Sequence, residues 1–165
     1  IDEVVDVDLP EQRWEDDPRA TPAFAALRNH LWDRIHAMAR DGEAPQPGVV
    51  LLAGTNHHIR LLKNGTLAYT AEPVNEIYRP SIDVFFESVA QFWTADAVGV
   101  LLTGMGRDGA QGLKLMRQRG YLTIAQDQQS SAVYGMPKAA AAIDAAVEIR
   151  PLERIAPRLM YVFAP

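Results

Sequence analysis

A chain of 165 residues, 48% of them apolar and 22% charged, is long enough for one compact domain with a core and too short for two ordinary ones. Its net charge of −5 argues against a nucleic-acid partner, which needs a basic footprint, and the lack of cysteine excludes disulfides and thiolate metal sites. That lack also fits a reducing cytoplasm. No apolar run approaches the roughly 18 residues of a membrane span, and Ile1-Asp2-Glu3 has neither a basic head nor a secretory stretch, so no membrane insertion and no targeting signal are expected.

The first twenty residues are rich in carboxylates. Val5, Val7 and Leu9 alternate as in a short strand with an acidic open face, and a solvated acidic arm is the competing reading. Thr21-Pro22 is a cap followed by a first-turn proline, and Phe24, Leu27, Leu31 and Ile35 follow at helical spacing, which predicts an amphipathic helix over 22–37. Pro45-Gln46-Pro47-Gly48 is a turn. Three extended runs follow: Val49–Ala53, Ile59–Leu62 and Thr66–Thr70, the last two joined by Asn64-Gly65, a strong hairpin signal.

Ser81 stands where it can cap a helix whose apolar face is Ile82, Phe85, Phe86, Val89 and Trp93. Ala97–Leu102 is a continuous apolar run, the mark of a strand buried on both faces. A glycine loop, 104–109, leads into a helix over 110–119, then a strand at Tyr121–Ala125, an alanine-rich helix near 137–144, a strand at 146–149 and a terminal helix from Pro151 that Pro157 is expected to interrupt. This strand–helix alternation predicts an α/β fold with a parallel sheet covered by helices.

Thr103-Gly104-Met105-Gly106-Arg107-Asp108-Gly109 admits two functional readings. Its G-x-G-x-x-G follows a strand and opens a helix, and Asp127 lies beyond the next strand, as in a dinucleotide site. Asp108 opposes that reading, because a carboxylate at the helix start competes for the N–H groups a phosphate needs. Alternatively, Asp108 sits at the carboxyl edge of the sheet and orients a histidine, beside glycine-rich backbone able to hold an oxyanion. A plain helix-capping aspartate is the bland third possibility.

The same segment, Leu101-Leu102-Thr103-Gly104-Met105-Gly106-Arg107-Asp108-Gly109-Ala110, resembles the signature of the methylesterase domain of CheB-type chemotaxis proteins. Arg79-Pro80-Ser81-Ile82-Asp83-Val84, Thr123-Ile124-Ala125-Gln126-Asp127 and Tyr134-Gly135-Met136-Pro137-Lys138-Ala139 resemble further segments of that family, as do residues 39–43 and Leu52-Ala53-Gly54. The likeness runs from about residue 39 to the end, leaving 1–38 as a divergent front of one domain spanning 1–165. The wording is especially similar to methylesterases of Wsp-like surface-sensing pathways. The resemblance implies a doubly wound, mostly parallel sheet, a cytoplasmic setting, and hydrolysis of glutamate methyl esters on methylated receptor proteins without a cofactor. It implies that Asp108 orients a histidine base and that the Met105 N–H helps to hold the oxyanion.

The family's other two catalytic residues are missing. Its serine stands in a Gly-Ala-Ser-Thr/Ala-Gly-Gly loop, and no such loop occurs here. Its histidine stands in a Gln-His-x-Pro turn, whose nearest counterpart, Val7-Asp8-Leu9-Pro10, carries an aspartate instead. Ser81 is expected to be a cap, Ser88 mid-helix, and Ser130 and Ser131 in a loop. His30 and His36 are too far apart to chelate, His57-His58 is expected to be an exposed loop pair, with one of the two lining the cleft of the family fold as the alternative, and no metal site is expected. Whether this chain is itself an enzyme therefore stays open between an incomplete methylesterase, an inactive relative that binds a receptor or signalling partner, and a nucleotide-binding domain. A sheet lacking its front strands should also self-associate unless residues 1–38 refill the space.

Overall fold

The computed structural model describes residues 40–46 and 49–164. The expected strand at Val5–Leu9, the helix over 22–37, the Val7–Pro10 turn and the histidines at 30 and 36 lie outside the described residues, as does the Pro47-Gly48 half of the turn. Residues 45–54 cluster separately from 40–44 and 55–164. In the former, Val49 donates its N–H to the Gln46 carbonyl, and the expected extended run carries only an isolated bridge at Leu52 in place of a strand. Val49, Val50 and Leu52 are exposed, so little burial favours a strand there.

The larger unit opens with a hairpin. Strands β1 (His58–Leu61) and β2 (Leu67–Thr70) pair antiparallel, His58 opposite Thr70 and Leu61 opposite Leu67. Gly65 takes φ +80°, and the Asn64 side chain accepts from the Thr66 N–H and hydroxyl. Helix α1 (Ile82–Phe92) follows with Ser81 as its N-cap. Ser88, midway along it, accepts from the Leu61 N–H at 2.8 Å and donates to the Phe85 carbonyl, fastening hairpin to helix.

Strands β3 (Val98–Leu101), β4 (Leu122–Gln126) and β5 (Glu148–Arg150) form a parallel sheet in that order, with Val98 opposite Leu122 and Ile124 opposite Glu148. Helices α2 (Ala110–Gln118) and α3 (Met136–Ala142) connect them, and α4 (Leu152–Val162) follows β5. Leu101, Ala110, Leu113, Ala125, Ala140 and Ala145 form the core, with Ile82, Phe86 and Met136 packed against it. The expected α/β class, parallel sheet and hairpin are all present, with element ends displaced by one to three residues. Pro157 does not interrupt α4: its ring lies on the exposed side of a helix anchored by buried Ile155. Among the described residues no helix is long and apolar enough to cross a membrane.

Candidate active site

The loop after β3 ends in Asp108, whose side chain is 5% exposed. Asp108 does not cap its own helix, which starts after Gly109 in the left-handed region at φ +85°. Its carboxylate instead receives the N-terminus of α1. Oδ1 accepts from the Ser81 hydroxyl at 2.8 Å and the N–H groups of Asp83 and Gly109 at 3.0 Å, while Oδ2 accepts from the Ile82 N–H at 2.8 Å. Ser81 completes the cap by accepting from the Val84 N–H.

The arrangement is reciprocal. Asp83, in the first turn of α1, accepts from the Gly112 N–H in the first turn of α2 at 2.7 Å. Each helix start thus faces a carboxylate from the other segment, placing negative charge at the positive ends of both helix dipoles. Burial pushes the Asp83 carboxyl above the usual aspartate range; the Gly112 N–H opposes that rise and the nearby Asp108 charge adds to it.

Glycine is required where these segments meet. A Cβ on Gly112 would lie 2.6 Å from Phe86 Cβ and 2.8 Å from the Asp83 carbonyl oxygen, and one on Gly109 would lie 2.7 Å from Leu101. The glycines of the G-x-G-x-x-G stretch therefore serve close packing, and the amide a pyrophosphate would seek at the start of α2 is taken by Asp83. A nucleotide phosphate placed there would meet two carboxylates, which removes the dinucleotide reading.

Around Met105 the loop is braced from below. Thr103 donates its N–H to Gln126 Oε1 at 2.8 Å, Gly104 donates to the Val133 carbonyl, and the Met136 N–H donates to the Gly104 carbonyl. Gln126, fully buried, is fixed in turn by the Ser130 carbonyl and hydroxyl. Between these braces the Met105 side chain stands 81% exposed, and no described group accepts its N–H. Such a fixed, unclaimed donor at a sheet edge suits a developing oxyanion.

Of the histidines, His57 is exposed as expected, but His58 is fully buried in β1. It is not half of an exposed pair: β1 begins at His58, and its alternation turns that side chain to the face opposite Ile59 and Leu61, where it meets Ser81 at the start of α1. Its Nδ1 accepts the Ser81 N–H at 3.1 Å, and its Nε2 has no partner among the described residues. The apolar run Ile59, Leu61 and Leu62 directly behind it marked a strand that can begin one residue earlier, but alternation gives His58 the face opposite Ile59 and Leu61, so the run did not signal its burial.

None of the serines forms a nucleophile–base pair among the described residues. The Ser81 hydroxyl, 2% exposed, donates directly to Asp108, so His58, Ser81 and Asp108 form a buried hydrogen-bonded chain and not a triad. Ser88 is buried in α1, Ser130 donates to Asp127, and Ser131 donates to the Asp127 carbonyl.

A family model described as CheB methylesterase matches residues 15–159. The chain is 89% identical over 126 residues to a protein-glutamate methylesterase/protein-glutamine glutaminase of Pseudomonas fluorescens Pf0-1, covering 76% of this chain and 38% of that protein. It is 87% identical over 163 residues to the corresponding protein of the group 3 operon of Pseudomonas putida KT2440, covering 89% of this chain and 48% of that one. The chain thus spans half or less of the length of these relatives. The P. putida alignment is also longer than the part of this chain it occupies, so some of its positions have no counterpart here. The crystal structure of the Thermotoga maritima CheB methylesterase catalytic domain superposes with a TM-score of 0.67 at 30% identity, over 76% of this chain and 68% of that one.

Proposed function

The chain belongs to the CheB methylesterase family, and we propose that it carries the aspartate-bearing part of a catalytic domain that hydrolyses glutamate methyl esters on chemoreceptor-type proteins in the cytoplasm. The observation that carries this reading is the Asp108 carboxylate. It is buried at the carboxyl edge of the parallel sheet, held by four donors, with capacity on Oδ2 for one more.

In that role an imidazole N–H donates to Asp108, which stays ionised and fixes the ring's tautomer. The other ring nitrogen takes the proton of a serine hydroxyl as its oxygen attacks the ester carbonyl. The Met105 N–H donates to the oxyanion that forms. Collapse breaks the bond to the methoxy oxygen, which leaves as methanol with the imidazolium proton. Water, deprotonated by the same imidazole, then splits the acyl-serine and releases the glutamate carboxylate. A glutamine side chain would follow the same course with ammonia as the leaving group, in keeping with the double name of the Pseudomonas relatives.

The serine and histidine belong, in this reading, to positions that the P. putida relative has and this chain lacks. Without them the rate falls by roughly 10⁶. Methanol release from a methyl-esterified chemoreceptor signalling domain tests the proposal. The 165-residue chain alone should give none. The chain joined to the relative's missing segment should be active, and Asp108→Asn in the joined protein should lose about 10⁴-fold. Undiminished activity in that variant would overturn the role of Asp108.

The absent serine loop favours a second reading, a methylesterase-like scaffold that binds a receptor without cleaving it. Receptor pull-down by the chain alone supports it. No detectable association, together with activity of the joined protein, excludes it.

A further inference from the structure

We propose that His58 is a positioning residue for Asp108, acting through Ser81. The inference rests on the reading of Asp108 given above and extends it one residue deeper into the fold.

The imidazole of His58 is fully buried, and its Nδ1 accepts the Ser81 N–H at 3.1 Å. An accepting Nδ1 carries no proton, so the neutral ring holds its hydrogen on Nε2. That Nε2 is buried and has no hydrogen-bond partner among the described residues. An unsatisfied buried donor is costly, and a leucine would fill this place without that cost. The site therefore gains something from histidine that apolar bulk does not supply, and the contact that supplies it is the Nδ1 acceptor.

What the acceptor secures is the start of α1. Ser81 is the extended residue at which the chain turns into the helix, with φ −98° and ψ 133°. Its N–H points away from the helix it caps, outside the reach of any helical carbonyl, and His58 gives it a partner. With the Ser81 backbone fixed, its hydroxyl and the next two N–H groups converge on Asp108, so three of the four donors on that carboxylate come from the segment His58 anchors. Ser88 anchors the same helix to the same hairpin through the Leu61 N–H, so β1 grips α1 at its cap and again two turns later. The hairpin therefore sets the position of a carboxylate to which it donates no hydrogen bond of its own, since the four donors among the described residues come from Ser81, Ile82, Asp83 and Gly109.

A histidine that merely fills space predicts the opposite ranking of substitutions from one that supplies an acceptor. His58→Leu keeps apolar volume and loses the acceptor, whereas His58→Asn is smaller but returns an oxygen near the place of Nδ1. The test is nuclear magnetic resonance on the whole 165-residue chain. In the unsubstituted protein the His58 ring should show a protonated Nε2 and an unprotonated Nδ1, with coupling through the hydrogen bond to the Ser81 nitrogen. In His58→Asn the Asp108 carboxyl signal and the Ile82 and Asp83 amide signals should stay near their original positions. In His58→Leu they should move, with Ser81 amide exchange faster by about tenfold or more. A protonated Nδ1, or Asp108 signals displaced as far in His58→Asn as in His58→Leu, overturns the proposal. Should His58→Leu not fold, the ring tautomer and the His58→Asn spectrum decide it. Because these signals report bonds inside this chain and not turnover, the positioning role can fail while the hydrolase reading stands, and Asp108→Asn in the joined protein tests that reading separately.

Discussion

Asp83 is the residue whose ionisation bears most directly on stability. Its folded pKa lies above its unfolded value, chiefly through burial, so the folded state holds the proton more tightly than the unfolded chain. Its contribution to stability is therefore fullest at acid pH, below the ordinary aspartate value, and fades as pH rises through the raised one. Asp83→Asn keeps an oxygen for the Gly112 N–H and removes the charge. Urea midpoints measured between about pH 3 and pH 7 should show this variant gaining on the parent as pH rises. A constant difference across that range would contradict the assignment. Gly112 allows a sharper test: Gly112→Ala drives a methyl into Phe86 Cβ and the Asp83 carbonyl and should cost about 1–3 kcal/mol in urea denaturation. At this scale the sequence was informative about Asp108, because a carboxylate inside a glycine loop at a strand end has few ordinary uses. It said less about which helix Asp108 serves, because capping its own helix and capping another chain segment leave the same letters. His58 was misjudged for a related reason: burial of a histidine depends on a strand boundary that one residue decides.

At the scale of elements, periodicity and turn chemistry located every described strand and helix, and expected one strand too many, at Val49–Ala53. Asn64-Gly65 fixed the hairpin through positive φ at Gly65, and Ser81 marked the start of α1 correctly. Errors of one to three residues fell at ends, where tertiary contacts and not local preference decide the last turn. Pro157 is instructive because intrinsic preference was overruled: buried Ile155 anchors the helix, and the proline ring lies on the exposed side. Replacing it should relieve that compromise. Pro157→Ala restores a donor to the helix ladder and should raise the melting temperature, with a gain of about 1 kcal/mol and the full proline cost of ~3 kcal/mol as its ceiling. A lower melting temperature would mean that the ring has a packing role. The β5–α4 junction makes a second prediction. Glu148 is held below the usual carboxylate range by hydrogen bonds from Arg158 first and Arg150 second. Its contribution is therefore present above the ordinary glutamate value and lost as pH falls through the lowered one. Glu148→Gln should flatten the acid limb of a stability–pH curve, and an unchanged limb would argue against the network.

For the molecule as a whole, the alternation of apolar runs and glycine stops was enough to predict a parallel sheet wrapped by helices. The hydrophobic pattern reports layers directly. Chemistry was less legible, because it depends on distances between segments far apart in sequence, such as the 27 residues separating Ser81 from Asp108. One consequence concerns motion. Four donors drawn from two separate segments clamp the Asp108 carboxylate, so it has no freedom to swing toward a partner during turnover. In the proposed reaction it is the stationary post against which the rest of the site closes. Any opening or shutting that admits a receptor side chain must occur on the imidazole's side, and relaxation measurements on an intact enzyme of this family should find slow exchange there while the aspartate stays still.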